Sequence, residues 1–436
     1  MKTARQVTAE ALLQVEKGGY SNLVLDSCLQ KNESSPQDSA FASALFYGVL
    51  ERRLTLDYCI AAYSKIPPEK LSPAVRELLR MAIYQILYMD SVPETAAVNE
   101  SVALTRKMGV SSASGFVNGV LRSFLRAGGK VPNGTGSNRE RLSIRYSCPL
   151  WLVTLLADSY GTEQTEHFLQ AALGRPPIYA RANTVKTTPQ ALCEQLGKEG
   201  ALAQIDPVAA GGIIFENLAA VEKLDSFQQG FFHVQDRSSQ LCALALNAKP
   251  GMRVADICSA PGGKTFTVAQ QMQNSGELLA MDLHQKRANL VQQGAKRLGL
   301  SIVKAQQNDG SQHNPELGDF DRILCDVPCS GLGVIRRKPE LKYHDPKTFQ
   351  NLPEIQYKIL ENSSKYCKIG GRLVYSTCTL NPAENLQVVQ MFLREHPEYE
   401  PEDFPAGLGI SGWHKTFLGT DPDSDGFFMA GMRKKD

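Results

Sequence analysis

Three short stretches carry residue types suited to covalent chemistry. Asp326-Val327-Pro328-Cys329-Ser330-Gly331 sets a carboxylate three residues before a thiol, with a proline stiffening the turn between them. Ser376-Thr377-Cys378-Thr379 sets a second thiol just after an apolar run. Cys258-Ser259-Ala260-Pro261-Gly262-Gly263-Lys264-Thr265 combines two glycines with a lysine. A thiolate is a strong nucleophile, but a thiol with a pKa near about 8.5 is only a few per cent ionised at neutral pH. A site using one must lower that value or supply a base. A buried cysteine is most often just a small hydrophobe. Two in turn sequences, each directly after a strand pattern, are harder to explain that way.

The elements around these stretches set their positions. Val254 to Cys258, Glu277 to Met281, Ile302 to Ala305, Arg322 to Cys325, Arg372 to Ser376 and Gly426 to Met432 read as strands, and helical patterns separate most of them. Alternation of this kind predicts a parallel, doubly wound sheet, in which ligands bind beyond the strands' C-terminal ends. The loop from Cys258 to Thr265 would join the first such strand to a helix, where glycines admit a ligand close to the backbone. It is not a Walker A loop, because Cys258 stands where the first glycine is required, and G-x-G-x-x-G is absent. Asp282 lies twenty residues beyond Gly262, at the end of the next strand, where an acid can accept both hydrogen bonds of a ribose diol. Asp309, after the third strand, is a further candidate, for an adenine edge. A nucleoside without phosphates suits this loop, and S-adenosylmethionine is such a ligand.

With a methyl sulfonium as donor, the thiols acquire a purpose. Carbon 5 of cytosine is a poor nucleophile. A thiolate adding to carbon 6 turns the ring into an enamine whose carbon 5 can attack, and a donor at ring nitrogen 3, such as a protonated Asp326, stabilises the adduct. Loss of the carbon-5 proton and of the thiol restores the base. Which thiol attacks is left open by the residues themselves.

The remaining chain bounds the setting. Its 436 residues call for two or three domains. Hydrophobic residues at 42% and charged residues at 21% describe an ordinary globular protein, and a net charge of +2 means that any basic surface is local. Residues 1–128 read as an all-α bundle, 129–138 as a polar, glycine-rich linker, 139–235 as a small α+β subdomain and 236–436 as the α/β domain. The ten cysteines are scattered without a CxxC pair, so no metal site is expected. The sequence shows no signal segment and no run of membrane-spanning length. A reducing, cytoplasmic setting and a monomer are expected.

Taken together, the three motifs resemble those of the bacterial 16S rRNA 5-methylcytosine methyltransferases of the RsmB (Fmu, Sun) type. Val334-Ile335-Arg336-Arg337-Lys338-Pro339, Pro382-Ala383-Glu384-Asn385 and Asp425-Gly426-Phe427-Phe428 extend the match. Gly115-Phe116-Val117-Asn118-Gly119-Val120-Leu121-Arg122 looks like part of a NusB-type RNA-binding domain. The resemblance implies a Rossmann-like methyltransferase domain with a mostly parallel seven-stranded sheet, S-adenosylmethionine as methyl donor and 16S rRNA as partner. It implies Cys378 as nucleophile, Cys329 in product release and Asp326 against the cytosine. It further implies that Cys258, Ser259, Ala260, Pro261, Gly262, Gly263, Lys264, Asp282, Asp309 and Asp326 line the S-adenosylmethionine site. Arg336, Arg337 and Lys338 are candidates to hold RNA phosphates, a sequence-independent contact. Ser259 and Val327 each stand where alanine is usual. Two competing readings are a P-loop-like NTPase, from Gly263-Lys264-Thr265, and a non-catalytic RNA-binding factor, from the N-terminal bundle.

Overall fold

The structure, a computed structural model, describes residues 2–19, 21–134, 136–218, 220–420 and 424–436. It has two compact units, residues 1–174 with 335–344, and residues 175–334 with 345–436.

The first unit contains α1 (Ala4–Glu16), α2 (Ser21–Lys31), α3 (Pro36–Tyr63), α4 (Pro73–Tyr88), α5 (Glu94–Lys107), α6 (Ser114–Arg126), α7 (Asn138–Arg145), α8 (Leu150–Tyr160) and α9 (Thr162–Ala171). Local chemistry starts several of them. Thr3, Ser35 and Ser137 accept hydrogen bonds from backbone amides in the first turns of α1, α3 and α7, and Pro36 and Pro73 sit where no helical amide partner is lost. On α6, Val117, Val120, Leu121 and Phe124 follow helical spacing and are buried. They join Leu45, Phe46, Leu78 and Ile83 in one core, each such side chain contributing about 2 kcal/mol by burial.

The sequence divides this region differently from the contacts. It assigns residues from 139 onward to the small α+β subdomain, whereas α7, α8 and α9 fall in the first unit. The reason is non-local: Ser147 Oγ accepts the Leu54 amide at 2.9 Å, and Gly174 N donates to Glu51 Oε1 at 2.5 Å. The expected linker includes Thr135, which lies outside the described residues. Residues 335–344 also belong to this unit. Lys342 Nζ donates to Glu51 O at 2.8 Å, Tyr343 OH is 3.0 Å from Ser147 Oγ, and Ser21 Oγ donates to Glu340 Oε1 at 2.8 Å. Burial pushes the Lys342 ammonium down to about 8.

The second unit opens with a four-stranded antiparallel sheet, ordered β2-β3-β1-β4, from β1 (Ile178–Ala182), β2 (Leu202–Ile205), β3 (Gly212–Asn217) and β4 (Phe232–Val234). Helices α10 (Pro189–Lys198) and α11 (Asp225–Gln228) accompany it. The larger sheet follows, through α12 (Arg237–Ala245), β5 (Arg253–Asp256), α13 (Gly263–Gln271), β6 (Glu277–Asp282), α14 (Gln285–Leu298), β7 (Val303–Gln307), β8 (Phe320–Asp326), α15 (Leu352–Ser364), β9 (Cys367–Thr377), α16 (Leu386–Glu395), β10 (Tyr399–Pro401), β11 (His414–Leu418) and β12 (Gly426–Lys434). Its order is β10-β12-β9-β8-β5-β6-β7, and β11 pairs beside β12. The pairs among β5, β6, β7, β8 and β9 are parallel, and those made by β12 are antiparallel. The seven-strand path matches the expected number, and β11 adds an eighth.

Ile323, Leu324 and Cys325 of β8 are fully buried, as a central parallel strand covered on both faces requires. Two expected helices differ at their ends. The one expected over Glu354 to Lys368 stops at Ser364, because the chain enters β9 at Cys367. The one expected from Ala383 begins at Leu386, after a 3-10 turn over Pro382–Glu384. Asn385 leaves helical geometry at φ −112°, ψ −111°, and that turn bears on the site below.

Candidate active site

Strand register assembles the site. Asp326 and Ser376 are direct partners across the parallel β8–β9 pair, and Ser376 Oγ donates to Asp326 Oδ1 at 2.8 Å. Cys329 follows Asp326 by three residues and Cys378 follows Ser376 by two, so the two turns leave neighbouring strand ends together. The two Sγ atoms are 3.3 Å apart. Both thiols are half-buried. The hydrogen bond to Cys378, with burial, pushes the Cys329 thiol well above its ordinary value. Either sulfur can be the donor in this contact.

Lys264 approaches from the other neighbour of β8. Its Nζ donates to Asp326 Oδ2 at 2.8 Å and lies 5.0 Å from the centre of the Phe427 ring. Burial lowers the ammonium's pKa, but the Asp326 carboxylate outweighs this and holds it above the ordinary lysine value, with Cys378 contributing in the same direction. Both Asp326 oxygens thus accept hydrogen bonds, one from a cation and one from a hydroxyl.

The loop between β5 and α13 turns sharply. Gly262 takes φ 107°, in the left-handed region that glycine enters freely. Ser259 N donates to Met281 O at 2.7 Å, tying the loop to β6. Asp282 ends β6, buried, and accepts the His284 amide at 3.1 Å. Asp309 lies two residues past β7 and accepts Ser311 N, Ser311 Oγ and Gln312 Nε2, and the Ser311 hydroxyl's hydrogen bond leads in lowering its pKa. Ser259 Oγ and Asp256 Oδ1 are buried without a hydrogen-bond partner.

The cysteines, Asp326, the loop from Cys258 to Lys264 and Asp282 therefore meet at the C-terminal ends of β5, β6, β8 and β9, with Asp309 beyond β7. Arg336, Arg337 and Lys338 follow the Cys329 turn in the chain. Their segment is grouped with the first unit, where the two arginines are half-buried and Lys338 is exposed. Among the described residues there is no cluster of three metal-ligating side chains, and no helix is long and apolar enough to cross a membrane.

Sequence reading passed over Asp256, although an acid ending the strand before a glycine-rich loop was a legible signal. Its carboxyl is fully buried, Oδ2 accepts only the Thr265 hydroxyl at 2.6 Å, and burial raises its pKa from 3.8 to about 7. A folded-state pKa above the unfolded value gives stability that is complete below pH 3.8 and is lost as pH rises through about 7. Asp256→Asn is expected to remove that loss. Relative to the parent chain it should gain on the order of 2 kcal/mol between pH 4 and pH 8, against a ceiling of about 4 set by the shift. Thermal unfolding across that range measures it, and parallel pH profiles would show that Asp256 is not buried neutral.

Comparison with known proteins follows the same lines. Residues 243–433 match the model of the 16S rRNA methyltransferase RsmB/F, residues 2–126 the NusB family, and residues 148–222 the ferredoxin-like domain of RsmF/B-like methyltransferases. A Bacillus subtilis protein named "Probable ribosomal RNA small subunit methyltransferase B" is 37% identical over 99% of both chains. A Synechocystis protein of the same name is 34% identical over the full length of both. Among solved structures, PH0851 superposes with a TM-score of 0.83 over 100% of this chain and 99% of its own, at 23% identity, which is likeness of fold. With the motifs, the paired thiols and full-length relatives in agreement, the chain belongs to the RsmB/F family of 16S rRNA methyltransferases.

Proposed function

We propose that the protein methylates carbon 5 of a cytosine in 16S rRNA, in the cytoplasm, through a covalent adduct between Cys378 and carbon 6. The observation that carries this reading is the 3.3 Å approach of Cys378 and Cys329 beside the Lys264–Asp326 pair. The residues around the glycine loop fit S-adenosylmethionine. Asp282 suits the ribose diol and Asp309 the adenine edge, and the unpartnered Ser259 Oγ and Asp256 Oδ1 are polar atoms that a bound ligand can satisfy. When bound, this cofactor supplies an electrophilic methyl group.

This chain's residues divide the remaining work. The Lys264 ammonium favours the thiolate form of Cys378, the form that attacks carbon 6. The ring's electrons move to carbon 5, which takes the methyl group. In release, carbon 5 gives its proton to water, the carbon 5–carbon 6 double bond re-forms, and the electron pair of the carbon–sulfur bond returns to Cys378. Cys329 stabilises that departing sulfur by hydrogen bonding. Asp326 contacts the cytosine. To donate to ring nitrogen 3 it must first take up a proton, which the Lys264 ammonium can supply along their hydrogen bond.

Carbon 6 is shielded inside a stack, so the target is a single-stranded or flipped nucleotide. Arg336, Arg337 and Lys338 hold phosphates of the RNA, and the chain acts as a monomer. The decisive experiment maps 5-methylcytosine in 16S rRNA from cells with and without this protein. One cytosine should lose its modification completely in its absence, and an unchanged map defeats the reading.

A further inference from the structure

Glu384 is a buried carboxylate to which the methyl-transfer chemistry assigns no role. It lies in the 3-10 turn after Cys378, and four neutral donors converge on it. Oε1 accepts Ser330 Oγ at 2.6 Å and Asn381 Nδ2 at 3.0 Å. Oε2 accepts Ser330 N at 2.9 Å and Gln356 Nε2 at 3.0 Å. Gln356 Nε2 also donates to Pro328 O at 2.9 Å, so Cys329 is flanked on both sides by residues held through this one group. Ser330 Oγ is 2.7 Å from Thr379 Oγ1. Because the single Ser330 hydroxyl proton goes to Glu384, Thr379 must be the donor in that contact. The residue after each thiol is thereby joined to the other, with Glu384 as the terminal acceptor.

We propose that Glu384 is a positioning residue that locks the Cys329 turn to the Cys378 turn and so sets the thiol spacing on which adduct release depends. The release part rests on the covalent reading given above, whereas the spacing part does not. A carboxylate is required because both of its oxygens accept. An amide has one accepting oxygen and must turn its NH₂ toward two donors. Glu384→Gln keeps the shape and breaks the pattern, and Ser330→Ala removes only the bridging hydroxyl.

Two readouts test it. Phenylarsine oxide takes two neighbouring thiols together, forming two arsenic–sulfur bonds as its oxygen leaves as water with both thiol protons. The parent protein should hold one arsenical that a monothiol does not remove, and Cys378→Ser should hold none. Glu384→Gln and Ser330→Ala should capture it about tenfold more slowly. In single-turnover reactions on unmodified rRNA, both variants should form the protein–RNA adduct within about threefold of the parent rate but release it at least about tenfold more slowly. If Glu384→Gln does not fold, Ser330→Ala carries both measurements. Parent-like capture and release overturn the proposal. So does a parallel fall in S-adenosylmethionine affinity, adduct formation and release, because that pattern describes a residue serving only the fold. Methylation by Cys378→Ser would defeat the covalent reading instead, while the arsenical result would still judge the spacing.

Discussion

Cys378→Ser is expected to abolish methyl transfer and to form no covalent complex with RNA. Cys329→Ser is expected to accumulate that complex. Serine's hydroxyl is far harder to ionise than a thiol, so replacing the attacking sulfur should lower turnover by at least about 10⁴-fold. The two cysteines differ in surroundings rather than in kind. The hydrogen bond to Cys378 and burial push the Cys329 thiol up from its ordinary value. A thiol in that state is poorly suited to attack and well suited to assist a sulfur as it leaves. Substituting it should spare adduct formation and slow release, by on the order of 10²-fold. Denaturing electrophoresis of protein mixed with labelled rRNA separates the outcomes. A shifted band for Cys378→Ser with none for Cys329→Ser would exchange the two assignments.

Breaking the Lys264–Asp326 pair should produce the second large effect. Asp326→Asn leaves a largely buried ammonium without its carboxylate, which costs about 3 kcal/mol of stability. In the intact pair the lysine's folded value lies above its ordinary 10.5. The pair's contribution is therefore complete below that value and constant from pH 6 to 9. In Asp326→Asn burial is the largest remaining influence and lowers the lysine's value, so the deficit should shrink as pH rises from 7 toward 10. Asp326→Asn combined with Lys264→Met removes both charges and should recover most of the lost stability. Turnover should stay down by about 10³-fold in the single and the double variant, because the proposed cytosine contact is gone in both. Unfolding and single-turnover assays on the three proteins separate these expectations. A double variant no more stable than Asp326→Asn would mean that the pair's charge is not what stabilises the site.

Much of this was legible locally. The period of apolar residues marks α3 to α6 and the central strands, and glycine, proline and serine mark where they begin and end. The loop from Cys258 to Lys264, Asp282 and both thiols were identifiable as strand-end residues. The Glu384 turn was visible only as a match to Pro382-Ala383-Glu384-Asn385, without a task. A buried acid's partners come from Ser330, Gln356 and Asn381, on three different segments. The capture of residues 335–344 by the first unit was not legible either, because the run of Arg336, Arg337 and Lys338 reads only as a basic stretch suited to phosphates, whereas Lys342 and Tyr343 find Glu51 and Ser147 far away in the chain.

The sequence by itself determined the order of the elements, the chemistry available at their ends and the family. Hydrophobic period and turn residues act over a few positions, and those are enough to say that a thiol follows a strand. Only the tertiary structure decided which strand ends are neighbours and in what register. The pairing of Asp326 with Ser376 across β8 and β9 brings two sulfurs 49 residues apart to 3.3 Å. Parallel register is set by packing on both faces of the sheet and by crossovers spanning dozens of residues. No local pattern encodes it, and the division of labour proposed for Cys378 and Cys329 depends on it.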